Sequence, residues 1–385
     1  MTDTEMVAHD VTCVQLPSGG LSLNIHAGSG WSLGDLLGFG VRRNPRRGYL
    51  LVSKVLGKHV PVSPLTIRAA HRALAVQIPA DLPGPLLFIG LAETATALGE
   101  GVAREWADHT GRGDFTFLHT TRYRQRGVLA LEFQEPHSHA SGHLVYRPAS
   151  ETDQRHFDHA RTLVLIDDEL STGTTLENLA RTYHALNPAL ERLLLVSLTD
   201  LCPRHTELQA ALGLPVLSIS LLRGELSFTP DPAYAPPTLP AVTGNGADKT
   251  DLLAPQSARS GQDAGHSPYL DAALTRLLKS AQGQSVLILG TGEFQYPPYL
   301  LALRLQHARP DLRVLNSATT RSPVAVWGQI AHALEFADNY GDGIPNFLYN
   351  VRPGQYDQVW VCHEGQATPD PVLLDLLNAS AVRLA

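Results

Sequence analysis

The stretch TLVLIDDELSTGTTLEN (Thr162–Asn178) decides the fold. It begins as an apolar run, TLVLID, of the kind found in strands of a parallel sheet covered on both faces. The run ends in two adjacent acids, Asp167 and Asp168. Two residues later comes Ser171-Thr172-Gly173-Thr174-Thr175, and a helical pattern follows over Thr174–Leu186. Strand, small-residue turn and helix start in direct succession aim several backbone N–H groups at one spot, where the helix dipole adds partial positive charge. A dianionic phosphate suits that cradle, with the hydroxyls of Ser171, Thr172, Thr174 and Thr175 as further donors. Carboxylates accept hydrogen bonds from paired sugar hydroxyls. An acid pair followed by a phosphate nest therefore spells a ribose 5-phosphate. The plainer alternative is an acidic strand end with a Thr-capped helix.

Outward from this motif the α/β pattern repeats. LLFIG (Leu86–Gly90), FTFLH (Phe115–His119), RLLLVSL (Arg192–Leu198) and PVLSISLL (Pro215–Leu222) read as strands, and Ala92–Trp106 as a helix. Further on, SVLILG (Ser285–Gly290), LRVLNS (Leu312–Ser317) and QVWVCH (Gln358–His363) repeat the logic in a smaller unit. Between the two lies a stretch, residues 229–265, with six prolines and no Ile, Phe or Trp. Such a composition buries little apolar surface and reads as a linker. The expected organisation is a first α/β domain over 20–228, the linker over 229–265 and a smaller α/β domain over 266–385. A length of 385 residues suits two such domains.

Four further segments carry polar chemistry. The turn after LLFIG, Gly90–Gly99, holds Ala92, Glu93, Thr94 and Ala95, small enough for the backbone to approach an anion. It also reads as an ordinary strand-to-helix turn capped by Thr94. The segment His119–Pro148 joins basic Arg122, Arg124 and Arg126 to His137, His139 and His143. Arg122 suits a polyanion, and His137 or His139 suits acid–base work at neutral pH. The three histidines also suggest a divalent metal site, or simply a polar surface loop. Gly40–Pro64 is basic through Arg42, Arg43, Arg46, Arg47, Lys54 and Lys58, which fits an anionic substrate and equally a solvated face. In the C-terminal unit, Gly290-Thr291-Gly292-Glu293, Thr320-Arg321-Ser322-Pro323 and His363-Glu364-Gly365 each follow a strand. Parallel strands would bring these loops to one carboxyl edge, where open α/β sheets bind ligands. Arg321, with Ser322 beside it, offers a planar fork for phosphate or carboxylate, while Glu293, His363 and Glu364 offer acid–base or metal chemistry. Three tight turns that cap helices are the plain alternative.

The acid pair with its Ser/Thr-Gly-Thr-Thr loop resembles the PRPP-binding signature of type I phosphoribosyltransferases. No Gly-Lys-Ser/Thr follows the glycine, so it is not a Walker A loop. With GLAETATALG, EPHSHASGH, DDELSTGTT and TTRSP, the chain resembles the bacterial phosphoribosyltransferase family that carries a C-terminal TRSP domain and is associated with tellurium-resistance and stress-response gene clusters. The resemblance implies a type I phosphoribosyltransferase fold: a parallel sheet flanked by helices, with a hood, followed by the smaller α/β domain. It implies that Asp167 and Asp168 face the ribose hydroxyls, that Ser171–Thr175 wraps the 5′-phosphate and that Ala92–Ala95 holds pyrophosphate. It also implies Mg2+ carried by PRPP and touching Asp167 and Asp168, a heterocyclic acceptor and a homodimer. Many members carry Arg or Lys where this chain has Glu93. That departure keeps open a second reading, a PRPP or nucleotide sensor that does no chemistry. A third is a bifunctional enzyme whose C-terminal domain acts on the first domain's product.

Composition narrows the classes. The net charge is -7 and 17% of residues are charged, so no chain-wide basic field for nucleic acid exists. Cys13, Cys202 and Cys362 lie far apart, which argues against a disulfide framework and suits a reducing cytoplasm. The acidic, polar Met1–Asp10 is not expected to be a signal peptide, and no run of about 18 apolar residues suggests a membrane span.

Overall fold

The computed structural model describes residues 10–42, 47–134, 142–235, 247–254, 257–261, 267–281 and 283–385. The chain opens with strands β1 (Asp10–Leu16) and β2 (Gly19–Gly28), a short helix α1 (Leu33–Leu36), a ribbon of β3 (Leu37–Arg42) and β4 (Tyr49–Ser53), then helix α2 (Pro64–Ala75). Next come β5 (Leu86–Gly90), α3 (Thr96–Thr110), β6 (Phe115–His119), a hairpin of β7 (Leu129–Gln134) and β8 (Gly142–Tyr146), and α4 (Glu151–His159). The decisive stretch forms β9 (Thr162–Leu170) and α5 (Thr174–Leu186), followed by β10 (Arg192–Asp200), α6 (His205–Leu212) and β11 (Val216–Pro230).

These strands make a seven-stranded sheet in the order β1-β2-β11-β10-β9-β5-β6. From β11 to β6 every pair is parallel, and β1 and β2 close one edge antiparallel. Counted from β5, the parallel strands run 2-1-3-4-5, so the order reverses between β5 and β9. That reversal is where open α/β sheets leave a crevice at the strands' carboxyl ends. Both faces of the sheet are covered. Leu86, Phe88, Val164, Ile166, Leu194 and Val196 face one apolar layer with α2 and α3, and Leu87, Ile89, Leu163, Leu165, Leu193 and Leu195 face the other with α4 and α5. The period-2 alternation of these names explains why the runs read as continuous apolar strands.

The C-terminal unit is α7 (Pro268–Ser280), β12 (Ser285–Gly290), α8 (Tyr296–Ala308), β13 (Arg313–Ala318), the two-residue β14 (Val324–Ala325), β15 (Ala333–Phe336), β16 (Asn346–Tyr349), β17 (Gln358–His363), α9 (Pro371–Leu377) and β18 (Ser380–Arg383). Its sheet, β13-β12-β17-β18, is parallel and reverses between β12 and β17. The two units share structure: β14 pairs with β3, so the ribbon over the first sheet becomes three-stranded with one strand from the second unit. Val62 and Asn316 exchange backbone hydrogen bonds across the boundary, at 2.9 and 2.8 Å. Val62, Ile67 and Ala97 pack with Tyr296, Tyr299 and Leu303 in one apolar cluster.

Three expectations change. The helix after β5 starts at Thr96 rather than Ala92, because Leu91–Ala95 stays an open loop. The first sheet starts at Asp10, ahead of the expected boundary at 20, because β1 hydrogen-bonds to β2. The linker reading also fails for much of 229–265. β11 continues to Pro230, and Lys249, Leu253, Ala254, Ala258 and Arg259 are buried. Composition hid this because the segment buries a few well-placed side chains rather than an apolar stripe. Among the described residues, no helix is long and apolar enough to cross a membrane.

Close helix packing rests on Gly101 in α3: a Cβ there would meet the rigid, buried His71 ring of α2 at 2.0 Å. Replacing Gly101 by Ala should cost about 1–3 kcal/mol through overpacking, read as a lower urea midpoint with an unchanged slope.

Candidate active site

The site is built at the first sheet's reversal point. Leu91 N–H donates to the Ile166 carbonyl at 2.9 Å, so the turn after β5 lies directly beside the acid doublet after Ile166. The doublet is still extended backbone: Asp167 pairs with Ser197 of β10, and β9 runs on to Leu170. Asp167 Oδ1 accepts from the Asp168 N–H at 2.9 Å. Asp168 is partly buried, and burial followed by the neighbouring Glu169 charge pushes its carboxyl up, against the pull of Lys58 and Arg42. Arg47 pairs with Glu169. Part of the basic run therefore stands over the acids as a hood; Arg43 and Arg46 lie outside the described residues.

After β9 the chain turns through Ser171 and Thr172 to Gly173, whose φ of 74° is left-handed and suits glycine. A Cβ there would also press on Cys202 Sγ at 3.1 Å. Gly173 is the N-cap of the 13-residue α5, and no side-chain hydrogen bond caps that start. Thr174 N–H makes only a long 3.4 Å contact to Thr172 Oγ1. Ser171, Thr174 and Thr175 are partly exposed and Thr172 exposed. A helix start in this state offers N–H groups to an anion.

The turn after β5 is held from several sides. Ala92 N–H donates to Thr120 Oγ1 at 2.8 Å, and Thr120 Oγ1 lies 2.9 Å from Nδ1 of buried His143. Thr94 caps nothing: Ala95 is the N-cap of α3, and Thr94 Oγ1 accepts from Lys58 Nζ at 3.3 Å. Gln295 Nε2 of the C-terminal unit donates to the Glu93 carbonyl at 2.9 Å. Glu93 itself is partly buried between cations, Lys58 Nζ at 3.0 Å and Arg321 Nε at 3.7 Å. Burial alone would raise its pKa, but Lys58, Arg321 and Thr320 together hold it down at about 2.

The expected C-terminal site is not a separate one. Gly290-Thr291-Gly292-Glu293 meets the first unit's edge: Glu293 accepts from Thr121 Oγ1 at 2.6 Å, from Arg122 N–H at 2.7 Å and from Arg259 Nε at 3.2 Å. With its oxygens engaged this way, Glu293 acts as a brace rather than the acid–base or metal group expected. Arg259, from the segment taken as linker, forks onto Glu364 with two 2.8 Å bonds. Glu364 also accepts from Ala254 N–H at 3.0 Å and Tyr340 Oη at 3.1 Å. Burial opposes its charge, but Arg259 holds its carboxyl below the ordinary range. His363 is buried at the end of β17, and burial lowers its pKa. Lys249 closes the network on Asp342 at 2.7 Å. Lys58, Lys249, Arg259 and Arg321 thus stand against Glu93, Glu293, Asp342 and Glu364, and Tyr123 stacks on Tyr340 at 4.5 Å in their midst.

Of the histidines expected to act, His137 and His139 lie outside the described residues. His143 spends Nδ1 on Thr120 and stacks on Phe133 at 5.0 Å, which suits a packing role better than a metal ligand. Among the described residues no group of three or more His, Cys, Asp or Glu side chains gathers as a metal site. Sequence reading placed Lys58 only within a basic run and missed Thr120, Tyr123, Arg259 and Tyr340, whose partners lie far along the chain or in the other unit: Ala92 for Thr120, Tyr340 for Tyr123 and Glu364 for Arg259.

Two family models match the chain: a phosphoribosyl transferase over residues 36–225, and the TRSP domain found C-terminal to it over 256–379. The chain belongs to that phosphoribosyl transferase family. It is a phosphoribosyltransferase whose TRSP domain packs against the edge where the acid doublet and the Glu93 turn emerge. Solved structures similar to it include the APRTase of Giardia lamblia complexed with 9-deazaadenine, at 17% identity over 49% of this chain and 96% of that one, with a TM-score of 0.33. The adenine phosphoribosyl transferase of Trypanosoma brucei, in complex with AMP, pyrophosphate and ribose-5-phosphate, is 13% identical over 55% and 87%, with a TM-score of 0.34. The hypoxanthine-guanine phosphoribosyl transferase of L. donovani is 18% identical over 44% and 84%, with a TM-score of 0.27. No curated protein matches the chain.

Two outcomes follow for this phosphoribosyltransferase. Arg259→Ala leaves Glu293 and Glu364 buried with their main cation gone, so it should cost about 3–5 kcal/mol in urea unfolding at pH 7.5. Buried His59 and His71 have pKa values lowered by burial to about 3 from the ordinary 6.5, and burial lowers that of His119 to about 4. The unfolded chain therefore binds more protons below 6.5, and stability falls as pH drops through that value. At pH 5 the loss should be on the order of 2 kcal/mol for each. Glu93, with its folded pKa depressed, keeps its full contribution above the ordinary 4.5, so unfolding free energies at pH 7.5, 6.0 and 5.0 isolate the histidines. A flat profile would contradict their buried neutral state.

Proposed function

We propose that the protein transfers the 5-phosphoribosyl group of PRPP to a ring nitrogen of a nucleobase or base-like heterocycle and releases pyrophosphate. The observation that carries this is the pair of loops flanking the sheet reversal, with the uncapped start of α5 at Gly173 on one side and the small-residue turn at Ala92–Ala95 on the other. Asp167 and Asp168 lie at the strand end between them. In this reading Ser171–Thr175 hold the 5′-phosphate, Asp167 and Asp168 hold the ribose hydroxyls, and Ala92–Ala95 with Arg122 hold the pyrophosphate. The bond from the anomeric carbon to the pyrophosphate oxygen breaks with its electron pair leaving on pyrophosphate. A nitrogen lone pair forms the new bond, and that nitrogen then loses its proton. His137 and His139 are the proposed candidates to take it. Positioning by the two anion loops supplies most of the acceleration.

Mg2+ fits the donors present. Asp167, Asp168 and Glu169 are hard oxygen donors, and the carboxyl of Asp168 is already pushed up by burial and by Glu169, a strain that a cation would relieve. Asp167 and Asp168 would touch the ion, and when bound it would neutralise charge on the departing pyrophosphate. As part of the same proposal, the product serves a stress or tellurite-resistance pathway, the setting that the family resemblance implies. The sensor reading rested on Glu93, and the compensation of Glu93 by Lys58 and Arg321 weakens it.

Asp167→Asn with Asp168→Asn should lower PRPP-dependent pyrophosphate release, measured against a panel of heterocycles, by about a hundredfold or more. Stability should hold, because the change removes like charge beside Glu169. Undiminished release in the double variant would refute the assigned role. Tight PRPP binding by the wild type, with no release across the panel, would favour the sensor.

A further inference from the structure

The TRSP phrase has a structural logic that its sequence does not explain. Thr320 exchanges backbone hydrogen bonds with Phe347 at 2.9 and 2.7 Å, and its Oγ1 accepts from Ser322 N–H at 3.1 Å. The Ser322 carbonyl accepts from Tyr349 Oη at 2.8 Å, and Val324 N–H donates to the same hydroxyl at 2.7 Å. Residues 320, 322 and 324 are thus pinned to β16, with Pro323 stiffening the turn. What the turn presents is Arg321, aimed away from its own sheet at the Glu93 turn of the other domain.

Arg321 is poorly satisfied there. Its Nε stands 3.7 Å from Glu93, its Nη1 3.5 Å from Asp342 Oδ2, and its guanidinium lies 5.1 Å from the Tyr123 ring centre. Nη2 is buried and has no hydrogen-bond partner. A guanidinium has five donors, and its strong bonds to carboxylate or phosphate fall near 2.7–2.9 Å. Arg259, whose guanidinium lies 5.9 Å from the centre of the same Tyr123 ring, shows what a committed arginine looks like, with both fork bonds to Glu364 at 2.8 Å. Burying an arginine with long contacts and an orphan donor is costly, and the cost is offset when an oxygen-rich anion arrives between Arg321 and the turn.

We propose that Arg321 of the TRSP domain completes the pyrophosphate site of the phosphoribosyltransferase domain, supplying in cis, with Lys58, the cationic charge that Glu93 takes out of the loop. This rests on the reading above that Ala92–Ala95 holds pyrophosphate. The TRSP domain is then a permanent part of one active site, not the owner of a second.

The test is calorimetric titration of the full chain with two probes, magnesium pyrophosphate and ribose 5-phosphate. The second lacks the pyrophosphate and reports only the Ser171–Thr175 cradle. Arg321→Gln should weaken pyrophosphate about a hundredfold, and Arg321→Lys about tenfold, since a point charge cannot make the fork. Ribose 5-phosphate affinity should stay within twofold in both. Wild-type pyrophosphate affinity in either folded variant, or equal weakening of both probes, would overturn the proposal and leave Arg321 as packing. If Arg321→Gln does not fold, Arg321→Lys decides the matter alone. A wild-type chain that binds ribose 5-phosphate but not pyrophosphate would instead locate the failure in the loop assignment itself.

Discussion

The fork of Arg259 on Glu364, with its third contact to Glu293, is the interaction on which the arrangement of the two domains depends. All three side chains are almost wholly buried, and they come from the strap between the domains and from two loops of the second sheet. Glu293 then reaches across to Thr121 and the backbone of Arg122 in the first domain. Buried ion pairs add little net stability, because removing the charges from water costs about as much as their attraction returns. The free energy of docking comes instead from the apolar cluster of Val62, Ile67 and Ala97 with Tyr296, Tyr299 and Leu303. Apolar contacts tolerate sliding, whereas a bidentate fork does not. The charges therefore set the register in which the two carboxyl edges meet, and every contact at the Glu93 turn inherits that register.

This division of labour accounts for the charge pattern around the turn. A carboxylate beside a pyrophosphate loop would by itself repel the ligand. In the folded chain Glu93 is an anchor for cations brought from elsewhere: Lys58 from the hood and Arg321 from the TRSP turn. Its carboxyl stays charged because these neighbours outweigh its burial. The hood is likewise a joint product, since β14 of the second domain completes its ribbon. A domain that supplies both a hood strand and a cation to its neighbour's edge cannot be understood as an appended module.

What was legible in the sequence was local. The strand and helix of Thr162–Leu186 were readable because apolar alternation, the acid doublet and a left-handed glycine all act within a few residues of one another. Leu86–Gly90, Phe115–His119 and Ser285–Gly290 were readable for the same reason. The strap was misread because its folding depends on a few side chains, and Arg259 looks like any solvated arginine until Glu364 is placed opposite it. Thr94 looked like a helix cap; its hydroxyl went to Lys58, 36 positions earlier. The edge strand β2 alternates apolar and polar residues, but its partner β11 lies about two hundred residues away.

The same distinction bears on the TRSP turn. Its four residues looked like a small ligand loop, because a serine, a threonine and an arginine beside a proline are what phosphate loops contain. The structure spends Thr320, Ser322 and the following backbone on holding the turn to Phe347 and Tyr349. That leaves Arg321 as the one cation of the phrase facing the neighbouring domain, beside the Thr320 hydroxyl that bonds Glu93. A motif with three residues fastening the backbone and one projecting outward works as a bracket for that one side chain. Its rigidity matters because the Glu93 turn is itself braced, by Gln295 from one side and by the Thr120 hydroxyl from the other. Two rigid elements with a loosely satisfied guanidinium between them leave the adjustable part of the interface at the guanidinium, where an incoming anion would have to be met.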